Sequence, residues 1–160
     1  MASKVGDKVP ACSTLRVWGE KGPQPITTDE LFAGKKVVMF AVPGAFTPGC
    51  SMTHLPGYVV HADAIKAKGV ASIVCVSVND AFVMHAWGET QNAEHLVMLA
   101  DGSGDLAKAM GFELDLVDKG MGVRWKRLAM IVDNGVIKHL AIEPPGGIVE
   151  SAAEAMLKLL

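Results

Sequence analysis

The chain has 160 residues, half of them hydrophobic and a fifth charged, with a formal net charge of −2 and three cysteines. That length suits one compact domain, 1–160, burying roughly 70% of the surface its unfolded chain exposes, and the apolar content argues against disorder. Near-balanced charge argues against nucleic acid, and the longest uncharged apolar stretch, Val37–Phe46, is too short for a membrane helix of about twenty residues. The first eight residues lack the apolar core of a signal peptide, and an odd, small number of cysteines does not suit a stapled secreted domain. The expectation is a soluble cytoplasmic protein, away from membranes, whose thiols are either inert core residues or chemically active.

In chain order, Ala11–Trp18 suits a first strand or an extended arm. Thr27–Gly34 predicts a short helix, with a hydroxyl cap in front and glycine behind. Lys36–Val42 is a continuous apolar run, the pattern of a strand buried on both faces. A loop, Pro43–Pro48, leads into a helix from about Gly49 to Lys68. Leu55, Val59, Ala62 and Ile65 follow helical spacing there, and Pro56 predicts a kink. Val70–Val78 is a second apolar strand, so the order strand, helix, strand predicts a right-handed parallel crossover.

Asn79-Asp80 can cap a helix over Ala81–Trp87. Leu96–Ala100 reads as a third parallel strand, followed by a turn and a short helix near Leu106–Met110. Glu113–Val123 is assigned mostly to loop. Leu128–Val132 and Val136–Ile142 flank Asp133-Asn134-Gly135, a strong hairpin signal. A closing helix is expected within Ile148–Leu160. Parallel βα units followed by a hairpin and a helix resemble the α/β thioredoxin-like fold, a central mixed sheet flanked by helices, with an N-terminal extension and a midchain insertion.

The chemistry concentrates in Pro43-Gly44-Ala45-Phe46-Thr47-Pro48-Gly49-Cys50, which joins a buried strand to the start of a helix. Unpaired amides and partial positive charge at a helix N-terminus stabilise a thiolate, the reactive form of cysteine. Thr47, three residues before Cys50, is near enough for its hydroxyl to donate to the sulfur or to a bound oxygen. His54 lies one helical turn beyond, on the same face. From these residues alone, Cys50 could equally be an inert buried cysteine at a strand–helix junction. A zinc site finds no C-x-x-C or H-x-x-x-H spacing to support it. A thioredoxin-type dithiol would need a cysteine at position 53, where Thr53 stands.

Pro43-x-x-x-Thr47-x-x-Cys50 resembles the active-site motif of peroxiredoxins. The longer run Val42–Ser51 followed by His54-Leu55-Pro56-Gly57-Tyr58, together with Ser77–Val83 and Lys126–Met130, resembles the type II, or peroxiredoxin-five-like, subfamily. The likeness extends from Val5-Gly6-Asp7 to the C-terminal helix. It implies a thiol peroxidase in antioxidant defence, in which Cys50 attacks a hydroperoxide and becomes a sulfenic acid. It also implies that Thr47 orients the peroxide, Arg127 completes the pocket and Pro43 forms its apolar wall. Arg124 is a supporting candidate, and His54 either orients the arginine or serves as a satisfied polar residue beneath the helix. No metal or organic cofactor is implied.

The same resemblance makes Cys75 a candidate resolving cysteine, since plant-like members form an intramolecular disulfide there; by pattern alone it is a core residue. The region where animal-like members keep a C-terminal resolving cysteine, Glu143–Ser151, has none. Glutaredoxin with glutathione, or thioredoxin, is the expected reductant, and Cys12 has no assigned part. Dimerisation is expected through the active-site face, with Phe46, Phe82 and Trp87 as candidate contacts and core packing favoured for Phe82. The competing function is a peroxide-sensing or chaperone-like protein using the same cysteine; it would stall after one equivalent of peroxide, where an enzyme turns over.

Overall fold

The computed structural model describes residues 2–160. Its centre is β3 (Lys36–Ala41), whose side chains alternate between two apolar layers. Val38 and Phe40 enter one core, while Val37, Met39 and Ala41 enter the other. This two-sided burial explains the unbroken apolar run, because a strand covered on both faces has no solvent side to make polar. β4 (Ser72–Ser77) lies parallel to β3, and β5 (Val97–Ala100) lies parallel to β4. β8 (Leu128–Asp133) pairs antiparallel with the other edge of β3, and β9 (Val136–Ile142) closes that side. The hairpin between them turns at Asn134 and Gly135, with φ of 49° and 78°. Both are positive, as a tight primed turn requires.

β1 (Leu15–Gly19) and β2 (Gly22–Ile26) form an antiparallel hairpin joined to the sheet through Arg16 and Ala100, giving the order β2-β1-β5-β4-β3-β8-β9. The strand β2 had no counterpart among the expected elements, and it carries Pro23 and Pro25. Proline is tolerated there because β2 is the sheet edge, where missing donors face no partner. The first strand also starts later than Ala11.

α1 (Thr28–Phe32) carries the expected cap: Thr27 and Glu30 exchange side-chain bonds with each other's backbone amides in a capping box. α3 (Ala81–Thr90) is capped by Asp80, whose Oδ1 accepts from the Val83 amide at 2.8 Å. α4 (Asp105–Met110) follows β5, and α5 (Ala153–Leu159) ends the chain, starting five residues later than the apolar pattern suggested. Glu113–Val123, assigned to loop, instead contains β6 (Glu113–Leu116) and part of β7 (Gly122–Trp125), a small separate hairpin joined by a 3₁₀ turn, Val117–Lys119. Its strands are only four residues long and its glycines mask the alternation.

The long helix is also reorganised. Cys50–His54 form a π turn, with the Leu55 amide bonded to the Cys50 carbonyl five residues back, and only then does α2 (Leu55–Lys66) begin. Pro56 therefore stands in the first turn of α2, where its missing donor costs little, rather than at a kink within one helix. The irregularity precedes it and contains the cysteine. Helices α2, α3 and α5 cover the sheet face that receives Phe40 and Cys75; α1, α4 and Trp125 cover the opposite face.

Candidate active site

The loop after β3 is held by neighbours on three sides. The Ala45 amide donates to Asn79 Oδ1 at 2.9 Å, and the Ser77 hydroxyl donates to the same oxygen at 2.7 Å. Thr47 Oγ1 donates to the Gly44 carbonyl at 2.7 Å, closing the loop on itself. Arg124 Nη1 donates to the Pro43 carbonyl at 3.2 Å while its Nε holds the Met121 carbonyl at 2.8 Å, so Arg124 ties the β6–β7 hairpin to the loop. A side chain at Gly44 would put its Cβ 2.9 Å from Arg124 Nη1 and 3.1 Å from Thr47 Cγ2, so it would displace the guanidinium from the Pro43 carbonyl. Phe46 adopts a φ of 64°, a strained conformation for a bulky residue, and its ring is 54% exposed.

Cys50 opens the π turn and is fully buried. Arg127, in the link between β7 and β8, points its Nη2 at Cys50 Sγ, 3.2 Å away. Its Nη1 donates to His54 Nδ1 at 2.9 Å. Because a guanidinium can only donate, Nδ1 must accept, and the ring proton sits on Nε2. That nitrogen donates to the Ser151 carbonyl at 3.0 Å, and the Tyr58 hydroxyl donates to the same carbonyl at 2.7 Å. Burial, reinforced by the Arg127 charge, holds His54 down at about 4 against 6.5 in water, despite its Ser151 bond and the Glu143 charge. The imidazole is therefore neutral near pH 7 and serves as an acceptor that fixes the arginine. Ser51, next to Cys50, accepts from Trp87 Nε1 at 2.9 Å, which pins the π turn to α3.

Above this group lies a cleft of about 470 Å³, lined by Pro43, Gly49 and Arg127 and walled by Leu114, Ile142 and Ile148. Its rim includes Lys126 and Glu143-Pro144-Pro145-Gly146-Gly147. A permanent cation against the sulfur and an apolar wall beside it suit attack by a thiolate on a small polar bond, with developing charge met by fixed donors. Among the described residues, no three of His, Cys, Asp and Glu stand close enough to share a metal ion.

Of the residues singled out from the sequence, Cys50, Arg127, His54 and Pro43 converge here. Thr47 differs in detail: its hydroxyl donates to Gly44, not to the sulfur, because the loop carbonyl lies within its reach. Cys75 sits in the middle of β4, fully buried, on the same sheet face as Cys50. Burial, and then the nearby Cys50, pushes its thiol well above the usual range. Cys12 is half-buried, with its sulfur 3.6 Å from Thr14 Oγ1. Phe82 is 63% exposed rather than packed in the core, whereas Trp87 is fully buried and offers no surface. Ser151, Tyr58, Glu143 and Ser51 escaped the sequence reading. Only the spacing of Tyr58 from His54, one helical turn, hinted at a shared partner.

Residues 4–157 match the family model described as Redoxin. Peroxiredoxin-2D of Arabidopsis thaliana is 46% identical over 158 residues, spanning 98% of this chain and 97% of that protein. The crystal structure of reduced Prx3 from Vibrio vulnificus in complex with hydrogen peroxide aligns with a TM-score of 0.94 at 52% identity, covering 98% of both chains. Peroxiredoxin 5 from Alvinella pompejana aligns with a TM-score of 0.82 at 37% identity, over 98% of this chain and 96% of that one.

Proposed function

The chain belongs to the redoxin family and is a peroxiredoxin, a thiol peroxidase that reduces peroxides with a thiol reductant, and from that premise we propose that Cys50 is its peroxidatic cysteine. The observation that carries this reading is the Arg127 Nη2 contact to Cys50 Sγ, made by an arginine that also lines the cleft with Pro43. The thiolate attacks the terminal oxygen of the hydroperoxide; an S–O bond forms as the O–O bond breaks. The products are a Cys50 sulfenic acid and an alkoxide or hydroxide, which takes a proton and leaves as alcohol or water. Arg127 stabilises the charge that spreads over both oxygens, with the Thr47 hydroxyl turning to the peroxide and Pro43 shielding it. Within the family we assign the chain to the type II, peroxiredoxin-five-like group, on the Val42–Ser51 run and on its likeness to peroxiredoxin-2D and to peroxiredoxin 5.

The sulfenic acid then condenses with a second thiol, releasing water, and the disulfide is reduced by a further thiol. We assign the second thiol to glutathione with glutaredoxin, or to thioredoxin. Cys50 is itself fully buried, so the π turn must open for any protein thiol to reach it. Such turns are rare in helices and frequent at functional sites. A second reading, resolution by Cys75, has one observation in its favour: both cysteines belong to the same core beneath α2. Against it, the Cys75 thiol is fully buried and kept protonated by burial, so it is a poor nucleophile until that core opens.

We further propose a homodimer formed through exposed Phe46 and Phe82, beside the active-site loop and the Asn79 that holds it, and a reducing, cytoplasmic setting in which all three thiols stay free. The test is peroxide turnover of the wild type, Cys50→Ser and Cys75→Ser, supplied with glutathione plus glutaredoxin and separately with thioredoxin. Loss of all turnover in Cys50→Ser and its retention in Cys75→Ser are expected. Many equivalents consumed per chain separate a peroxidase from a peroxide sensor. Turnover in Cys50→Ser would overturn the assignment of the nucleophile.

A further inference from the structure

The bonds around Arg127 close into a ring that leaves the active-site loop and returns to it. The Arg127 carbonyl accepts from the Glu143 amide at 3.0 Å, at the end of β9. The Glu143 carboxylate folds over the following loop, and its Oε2 accepts three bonds: from the Val149 amide at 2.6 Å, the Ser151 amide at 2.8 Å and the Ser151 hydroxyl at 2.7 Å. This clamp aims the Ser151 carbonyl at His54 Nε2, and His54 Nδ1 returns the path to the Arg127 side chain, which touches the sulfur. Glu143 therefore holds the arginine twice, once by its backbone and once through Ser151 and His54.

We propose that Glu143 and Ser151 are positioning residues for peroxide reduction, acting on Cys50 through His54 and Arg127. Neither touches the reacting atoms. Their effect is to keep one tautomer of His54: a carbonyl acceptor at Nε2 leaves Nδ1 unprotonated, and only an unprotonated Nδ1 can receive the guanidinium. If the clamp opens, His54 loses its carbonyl, the ring can carry its proton on Nδ1, and Arg127 is turned away from the sulfur. The ring also explains why an element of the far C-terminus matters to a motif near residue 50: the 143–151 loop is both a wall of the cleft and the anchor of its cation.

This inference rests on Cys50 and Arg127 acting as assigned above, and Cys50→Ser tests that separately: turnover surviving in that variant would sink the parent reading. With Cys50 essential, Glu143→Ala, Glu143→Gln and Ser151→Ala are compared for second-order peroxide reduction and for alkylation of Cys50 by iodoacetamide. The ¹⁵N resonances of the His54 ring are followed in parallel. Glu143→Ala is expected to slow peroxide reduction by about tenfold or more, because small misplacements of a catalytic group carry such penalties, and to shift His54 away from the Nε2–H tautomer. In Glu143→Gln the amide oxygen still accepts, so the rate stays within about threefold and the His54 signals hold. Ser151→Ala loses one of three bonds to the clamp and is expected to fall about threefold, with a smaller shift of the same resonances. A slow Glu143→Ala enzyme with unaltered His54 resonances would locate its defect in the cleft wall and overturn the proposal, as would a wild-type rate. Should Glu143→Ala fail to fold, Ser151→Ala decides: unchanged rate and unchanged His54 resonances overturn it.

Discussion

The two faces of the central sheet follow one alternation of side chains yet differ in what their buried polar groups do. Beneath α1 and α4, Asp101 is 1% exposed and accepts from the Leu106 amide, the Ala107 amide and Trp125 Nε1. After β9, on the side of the active-site cleft, Glu143 also accepts three bonds, but its partners lead through Ser151 and His54 to Arg127. Both carboxylates begin by losing solvation. Desolvation wins at Asp101 and raises its carboxyl above the usual range; at Glu143 the bonds from the Ser151 amide and hydroxyl, with that from the Val149 amide, outweigh it and lower the carboxyl. The same device, a carboxylate gathering orphan amides, is architecture on one face and part of the reactive site on the other. What distinguishes them is where the hydrogen-bond path ends.

The sharpest way to break that contrast is one substitution on each face. Arg127→Ala removes the cation from the sulfur and is expected to lower peroxide reduction by about 10²- to 10³-fold, the scale for loss of a preorganised charge-stabilising donor. Arg127→Lys keeps the charge without the fork that serves sulfur and imidazole together, and should recover only part of the loss. Asp101→Ala does the reverse. It strands three buried donors, each costing about 1–3 kcal/mol, so urea unfolding should show about 3–5 kcal/mol lost while the rate per folded molecule stays near wild type. A comparable rate defect in Asp101→Ala would mean the faces are not separable.

Acid should act on the faces with opposite signs. His54 is protonated in the unfolded chain below about 6.5 but only near 4 in the fold. Its contribution is present above 6.5 and disappears as pH falls through about 4, a gap worth about 3 kcal/mol. Asp101 is raised in the fold, so its contribution is fully present below 3.8 and lost as pH climbs through the raised value. Urea titrations between pH 7 and 4 should therefore show wild-type stability falling, with a shallower fall in His54→Gln. An unchanged slope in His54→Gln would mean that the imidazole is not held neutral by its site.

The same contrast shows how far the sequence was legible. The loop Pro43–Cys50 is local, so its motif and the flanking strand and helix could be read directly, and the unbroken apolar run Lys36–Val42 announced a strand buried on two sides. Arg127 carried no local signal and entered through resemblance. The ring through Glu143, Ser151 and His54 could not be read, because its bonds join residues up to 97 positions apart and one acceptor is a backbone carbonyl. Local rules misled at several places, among them Pro56, read as a kink where it opens α2, and Phe82, read as core where the start of α3 turns it outward. The π turn was invisible for a related reason, since the helical spacing of Leu55, Val59, Ala62 and Ile65 begins only after it and carries no mark of the wider turn before it.

The smallest effect concerns the cleft wall, where the reactive face meets solvent. Ile148 stands half-buried opposite Gly49, with its Cδ1 3.4 Å from where a Cβ on Gly49 would lie. Hydrogen peroxide is too small to use that wall, whereas an alkyl hydroperoxide bound in the cleft would lay its carbons against Ile148, Ile142 and Leu114. Ile148→Ala removes apolar area worth about 1 kcal/mol to such a chain, given about 0.8 kcal/mol per buried methylene and incomplete burial here. The expected result is about a fivefold fall in kcat/KM for tert-butyl hydroperoxide, with hydrogen peroxide reduced at the wild-type rate. Equal losses on both substrates would mean that Ile148 acts by supporting Arg127 through the 143–151 loop, and the wall would then belong to the positioning apparatus rather than to substrate selection.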